Sequence, residues 1–191
     1  MKQNSHQEIK QIIRVDHAGE MGAKVIYEGQ MLALKLKGDN KTLQIVEKMY
    51  QQELDHLKFF DEKIREHKIR PTLMQPFWKV GGFALGFITA IIDKKSAMTC
   101  TTAVEETIDE HYQEQLTQLA KIKEIIKLDE DQADKVMVDE LSKKINQFRE
   151  EELEHRDIGY EHNAKNFAMY KPFDCFIKLT TKFAIAISKK I

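Results

Sequence analysis

The sequence predicts an all-α bundle built from two long helical hairpins, and three observations point to it. Glycine and proline are scarce, at eight and three among 191 residues, while Leu, Ile, Lys, Glu and Gln, which lose little freedom in a helix, are abundant. Apolar side chains recur at helical spacing over long stretches. Turn signals fall between those stretches. With 42% apolar and 32% charged residues, residues 1–191 can form one globular domain with a real core.

The first stretch, 5–37, ends at Gly38-Asp39-Asn40, a chemistry that stops one helix and caps the next. The second, 40–68, stops before Arg70-Pro71, because proline pushes the residue before it out of the helical region. Residues 71–77 then read as a connector. From Phe77 to Ile92 the chain is nearly all apolar, interrupted by Lys79, Gly81, Gly82 and Gly86. It falls short of the roughly 20 apolar residues of a membrane-crossing helix, and suits either a core helix or one dipping into a membrane face. Gly82-x-x-x-Gly86 permits close helix packing, but the pattern is common by chance.

A second hairpin follows, 96–126 and 132–166, joined through the acidic run Leu128-Asp129-Glu130-Asp131-Gln132-Ala133-Asp134, read as a solvated loop. Lys171-Pro172 restarts the chain as a last helix. Its Phe176, Ile177, Leu179, Phe183, Ile185 and Ile187 alternate with Lys178, Lys182, Lys189 and Lys190, a basic amphipathic pattern suited to an anionic membrane surface or to capping the bundle.

Composition narrows function. Thirty basic side chains against 31 acidic ones leave a net charge of −1, which offers nucleic acid no basic field. Cys100 and Cys175 form no CxxC and no disulfide framework. The opening residues Met1 to His6 lack the apolar stretch of a signal peptide, so export is not expected.

Glu53-Leu54-Asp55-His56 and Glu152-Leu153-Glu154-His155 each set a glutamate and a histidine on one helical face, able to grip a single ion. Two such pairs alone prove little. Their context strengthens them: each lies on the second arm of a hairpin whose first arm carries a glutamate followed two turns later by tyrosine, Glu20 with Tyr27 and Glu105 with Tyr112. The order Glu, Tyr, Glu-x-x-His thus occurs twice, like an internal duplication with the second hairpin lengthened. The helical faces through Glu20 (Ile13, Ala23, Tyr27), Glu53 (Met49, Phe60), Glu105 (Ile108, Leu116) and Glu152 (Ile145, Phe148) are apolar, so all four glutamates interrupt core stripes. The same walk selects Glu105 over Glu106 and Glu152 over Glu151, which point about 100° away.

Four carboxylates inside a bundle repel one another and lose their hydration, so something must neutralise them. Two divalent cations match their charge, and neutral imidazoles complete the shells. A surface glutamate or a hydrogen-bonded core histidine explains any one of Glu20, Glu53, His56, Glu105, Glu152 and His155, but not the six at corresponding positions. Such a set defines the di-iron and di-manganese carboxylate bundles. Mixed carboxylate and imidazole ligation without thiolates favours iron or manganese over structural zinc, and iron is the expected metal.

At Ile12-Ile13-Arg14-Val15-Asp16-His17-Ala18-Gly19-Glu20 the sequence resembles the opening motif of the demethoxyubiquinone hydroxylase family of ubiquinone biosynthesis. Tyr27-Glu28-Gly29-Gln30-Met31, Ala97-Met98-Thr99-Cys100-Thr101, Ala103-Val104-Glu105-Glu106 and Glu151-Glu152-Leu153-Glu154-His155-Arg156-Asp157 are similar to further family segments in the same order. The resemblance implies a ferritin-like four-helix bundle with additional membrane-facing helices. It implies two irons at Glu20, Glu53, His56, Glu105, Glu152 and His155, with Glu105, and Glu20 or Glu152, shared between them. It further implies hydroxylation of 2-polyprenyl-3-methyl-6-methoxy-1,4-benzoquinol with O2, and NADH as electron donor although no GxGxxG motif occurs.

A bilayer-resident substrate implies docking through 77–92 and 174–190, on the cytoplasmic face of a bacterial membrane or the matrix face of the mitochondrial inner membrane. The missing transit peptide favours the bacterial face. A ubiquinone-biosynthesis complex or a lipid-binding partner fits the same resemblance. Tyr112 and His111 are candidates to relay a proton or electron, although Tyr27 and Tyr112 read more simply as hydrogen-bonded core tyrosines. The longer acidic connection around 121–138 departs from the family. Two rival readings use the same residues: a ferritin-like ferroxidase or peroxidase, which needs no membrane-seeking surface, and a non-catalytic quinone-binding bundle.

Overall fold

The computed structural model of the protein describes residues 2–127 and 132–190. Six α-helices follow in order: α1 (Lys2–Lys37), α2 (Asn40–Glu66), α3 (Gln75–Ile92), α4 (Lys94–Lys127), α5 (Gln132–Glu161) and α6 (Tyr170–Ser188), with a 3-10 turn at Ala164–Asn166 between the last two. No strand occurs among the described residues, and the chain is an all-α, ferritin-like bundle. Hairpins α1–α2 and α4–α5 form the four-helix core, while α3 packs mainly on α1 and α6 mainly on α4.

Local chemistry sets the boundaries. Gly38 takes φ of 70°, the left-handed conformation that ends α1 without a Cβ clash. Asp39 then caps α2, accepting from the Thr42 backbone N–H at 3.2 Å and from its hydroxyl at 2.7 Å. The Thr42 bonds hold the Asp39 carboxyl below its ordinary range. Helix α3 begins two residues earlier than the sequence suggests, because Pro76 sits in its first turn, where no intrahelical N–H is needed. Pro172 lies likewise in the first turn of α6, so that helix starts at Tyr170. Helix α5 ends at Glu161, short of the expected 166, where Asn163 turns left-handed at φ of 69°. The acidic connection begins with 128–131, outside the described residues.

Two apolar clusters fill the core. One gathers Ile9, Ile13, Phe60, Leu119, Leu141 and Phe148, and the other Tyr27, Leu34, Val46, Met49, Ala97 and Met98. On every core helix the candidate ligands fall in the sequence between a member of one cluster and a member of the other. The core is therefore apolar at both ends and polar in its middle.

Helix α3 is not a core helix. Only its Gly86, Thr89 and Ala90 are buried, and Phe77, Val80, Ile88, Ile91 and Ile92 are exposed. It rests on α1 backbone to backbone. A Cβ on Gly86 would stand 1.9 Å from the Ile26 carbonyl oxygen, and one on Gly29 would stand 2.2 Å from that of Phe83. The Gly82-x-x-x-Gly86 pattern, common by chance, is here used in earnest. Helix α6 exposes Phe176, Leu179 and Phe183. Two of its lysines turn back to α4, Lys178 to Glu106 at 2.5 Å and Lys182 to Glu110 at 2.8 Å. Its amphipathic pattern thus serves partly to fasten it to the bundle.

Gly86→Ala should lower stability by about 1–3 kcal/mol through overpacking against α1, although alanine favours helix. Gly81→Ala in the same helix meets nothing within 4 Å and should be neutral or stabilising by up to about 1 kcal/mol. Urea unfolding midpoints of the two variants check the contrast.

Candidate metal centre

Each element delivers one part of the centre. Helix α1 presents Glu20, α2 presents Glu53 and His56 one turn apart, α4 presents Glu105, and α5 presents Glu152 and His155. All six are buried, none more than 2% exposed. Their neighbours on the same helices behave as the helical period requires: Asp55 and Glu154 are exposed, and Glu106 pairs with Lys178 and with the Tyr160 hydroxyl, at 2.5 Å each.

The six converge as two quartets, Glu20, Glu53, His56 and Glu152, and Glu53, Glu105, Glu152 and His155, with ligand atoms in each lying within 4.8 Å of one another. Glu53 and Glu152 belong to both quartets, whereas Glu105 belongs to the second alone, unlike its shared position in the resemblance. Both imidazoles turn Nδ1 inward. His56 Nδ1 lies 3.2 Å from Glu152 Oε1 and 3.4 Å from Glu20 Oε2; His155 Nδ1 lies 3.0 Å from Glu152 Oε2 and 3.2 Å from Glu53 Oε1.

The tyrosines connect the hairpins. Tyr27 donates to Glu105 at 2.9 Å, and Tyr112 donates to Glu20. They are buried hydrogen-bonded tyrosines, as the sequence suggests, but their partners are the carboxylates of the opposite hairpin. Burial foremost, then the adjacent carboxylate, pushes both phenols well above their ordinary range and keeps them protonated as donors.

The electrostatics identify what the centre lacks. Burial, then the charge of Glu152, raises the Glu53 carboxyl to about 8. Burial with Glu152 and Glu53 raises Glu105 well above its ordinary range. Burial opposes charge on Glu152 too, but hydrogen bonds from His155 and His56 prevail and hold it below the usual carboxylate range. Burial likewise opposes protonation of the imidazoles, yet the carboxylates prevail, taking His155 up to about 11 and His56 higher still. Protons thus supply the positive charge that four clustered carboxylates require. Even so, Glu105 Oε2 and Glu53 Oε2 are buried without a hydrogen-bond partner, and Glu20 Oε2 and Glu53 Oε1 meet only an imidazole nitrogen that also faces Glu152. Such groups are expensive to leave unmet, and oxygen and imidazole donors together suit divalent transition metals. The residues fit two cations.

Two residues that the sequence passed over complete the cluster. Glu151 and Gln52 hold the outer nitrogens of His56 and His155, at 2.5 and 2.9 Å. Helical phase turned Glu151 away from the centre of the bundle, as expected, but toward the back of an imidazole on α2. The available signal was positional: each immediately precedes the glutamate of a Glu-x-x-His motif.

Two Glu-x-x-His helices facing two helices with single glutamates define a ferritin-like carboxylate bundle of the kind that houses a pair of metal ions. Within that class, the chain belongs to the family described as ubiquinone biosynthesis protein COQ7, whose model matches residues 7–188. It is 43% identical over 183 residues to the NADPH-dependent 3-demethoxyubiquinone 3-hydroxylase, mitochondrial, of Dictyostelium discoideum, covering 96% of this chain and 77% of that one. Against the 3-demethoxyubiquinol 3-hydroxylase of Rhodospirillum rubrum it is 41% identical over 185 residues, 96% of this chain and 78% of the relative. Against the 5-demethoxyubiquinone hydroxylase, mitochondrial, of Saccharomyces cerevisiae it is 34% identical over 183 residues, again 96% and 78%.

Glu53, Glu105 and both imidazoles hold more protons in the folded metal-free chain than in the unfolded one, because their folded pKa values are raised. Their contribution is full at low pH and fades as pH rises. Between about pH 5 and pH 8 the metal-free protein should therefore lose stability, whereas ferrous or manganous ions should displace these protons and reverse the slope. Urea unfolding at the two ends of that range, with chelator and with metal, checks the sign. Glu152→Ala should abolish loading of both cations while circular dichroism shows the helices intact.

Proposed function

We propose that this chain is an oxygen-dependent monooxygenase that hydroxylates the ring of 2-polyprenyl-3-methyl-6-methoxy-1,4-benzoquinol in ubiquinone biosynthesis, within one domain over residues 1–191. Glu20, Glu53, His56, Glu105, Glu152 and His155 hold two iron ions, and NADH or NADPH supplies the electrons. The observation that carries this reading is a cavity of about 370 Å³ between α1, α3, α4 and α6. Its lining runs from exposed Phe176 and Gly81 to buried Glu20 and Tyr112, through Ala23, Ile26, Leu85 and Val104. A ferroxidase needs no apolar passage of this kind, whereas a prenylated ring needs one to reach a buried centre.

The reduced iron pair supplies two electrons for activating oxygen. The chain's residues do the rest. The apolar lining excludes water and holds the ring beside Glu20. Tyr112 fixes the Glu20 carboxylate through its phenol. At the inner end, burial first, with the nearby Lys189 charge, takes His111 down to about 4, so it is neutral at pH 7. Burial raises the Asp16 carboxyl well above its ordinary range, and Gln115 donates to it at 2.6 Å. His111 Nε2 lies 3.7 Å from Asp16 Oδ1, and neither it nor Asp16 Oδ2 has a hydrogen-bond partner, which leaves both free to meet the polar substituents of the ring.

Helices α3 and α6, which line this cavity, also expose Phe77, Val80, Leu179 and Phe183, and we assign these residues to the membrane surface from which the substrate enters. Names of the eukaryotic relatives place those proteins in mitochondria. For this chain the corresponding surface is the cytoplasmic face of a bacterial membrane or the matrix face of the mitochondrial inner membrane. A ubiquinone-biosynthesis complex or a lipid-binding partner delivering substrate fits the same surface.

Expression in cells lacking the hydroxylase should restore ubiquinone and deplete the demethoxy precursor, read by mass spectrometry of extracted quinones. Ala184→Trp, which fills the cavity, should retain iron but lower hydroxylation by about 10²-fold. Rapid iron oxidation by the wild-type protein with no change in the quinones would favour the ferroxidase instead.

A further inference from the structure

The two hairpins exchange their buried groups like for like around the centre: Glu20 corresponds to Glu105, Tyr27 to Tyr112, Glu53 to Glu152 and His56 to His155. Behind the imidazoles the correspondence breaks. Nε2 of each histidine meets the residue that precedes the glutamate of the opposite Glu-x-x-His helix, and for His56 this is the carboxylate of Glu151 at 2.5 Å. For His155 it is the neutral amide oxygen of Gln52 at 2.9 Å. Glu151 is itself held, because Gln147 donates to its other oxygen at 2.8 Å.

An imidazole whose outer N–H donates to a carboxylate is a stronger electron donor at its inner nitrogen than one donating to an amide. A cation bound through His56 Nδ1 therefore meets a better ligand and one more nearby negative charge. The quartet that contains His56 also contains Glu20, which lines the cavity, while Glu105 of the other quartet does not.

The geometry points to an electronically unequal pair of cation positions, in which Glu151 makes the Glu20–His56 position beside the cavity the tighter and the first to fill. Gln52 leaves the inner Glu105–His155 position weaker. Both are positioning residues, acting through the histidines they hold. The arrangement gives the more strongly held ion, and the one better able to carry a higher positive charge, to the side the substrate approaches. It rests on the reading of the two quartets as cation sites.

The test loads full-length, chelator-stripped protein anaerobically with one and then two equivalents of isotopically enriched ferrous iron and records Mössbauer spectra. Fully loaded wild-type protein should show two quadrupole doublets, with the first equivalent favouring one of them about tenfold, the lower end of the effect of such outer partners. Glu151→Gln should divide the first equivalent evenly between the doublets. Gln52→Glu should do the same from the other direction, and the double exchange should send it to the second doublet. Should Glu151→Gln fail to fold by circular dichroism, Gln52→Glu alone decides, since even filling is expected of it. The same partition in wild type and variants, or equal weakening of both positions by Glu151→Gln, would overturn the inequality. Failure of folded wild-type protein to bind any iron is a separate result, and it would overturn the two-cation reading itself.

Discussion

The structure depends on placing four carboxylates in the dry middle of a helical bundle. Each loses several kcal/mol of hydration on burial, and each is repelled by the others. Two imidazoles and two phenols offset part of that cost, and each reaches a carboxylate of the opposite hairpin: Tyr27 meets Glu105, Tyr112 meets Glu20, His56 meets Glu152, and His155 meets Glu53 as well as Glu152 of its own helix. Because all four of these side chains reach across to the other hairpin, the polar centre joins the two halves of the core. It also fixes their register, since an axial slip of one hairpin would break the contacts that cross between them.

The unmet oxygens of Glu53 and Glu105 show that this compensation is incomplete without cations. A core optimised for stability alone would replace these residues with apolar ones. Their retention among Ile13, Met49, Phe60 and Phe148 is the structural mark of a site whose occupant supplies the missing charge, and strain of this kind belongs with function.

Around that centre, α3 and α6 are arranged by different forces. Helix α3 is held by backbone proximity at Gly29 and Gly86, which leaves its large side chains free to face outward. Helix α6 is held by Lys178 and Lys182 on the acids of α4. Trp78 donates to the Ser188 hydroxyl at 3.1 Å and joins the two helices beside the cavity. The result is a passage to Glu20 lined largely by apolar side chains.

The sequence by itself determined the helical class, both hairpins and the six buried groups, because helical period and the repeated order Glu, Tyr, Glu-x-x-His are local properties that survive without knowledge of packing. It also separated Glu105 from Glu106. It left 77–92 undecided between core and surface, since an apolar run reads the same in either place, and only the glycine contacts with α1 settled the matter. Nor did it identify Glu151 and Gln52 behind the histidines, the place of Glu53 in both quartets, or the cavity at Asp16 and His111. Those relations join residues of different helices, whose rotation and separation are set by the packing of side chains far apart in the chain, and no local period encodes them.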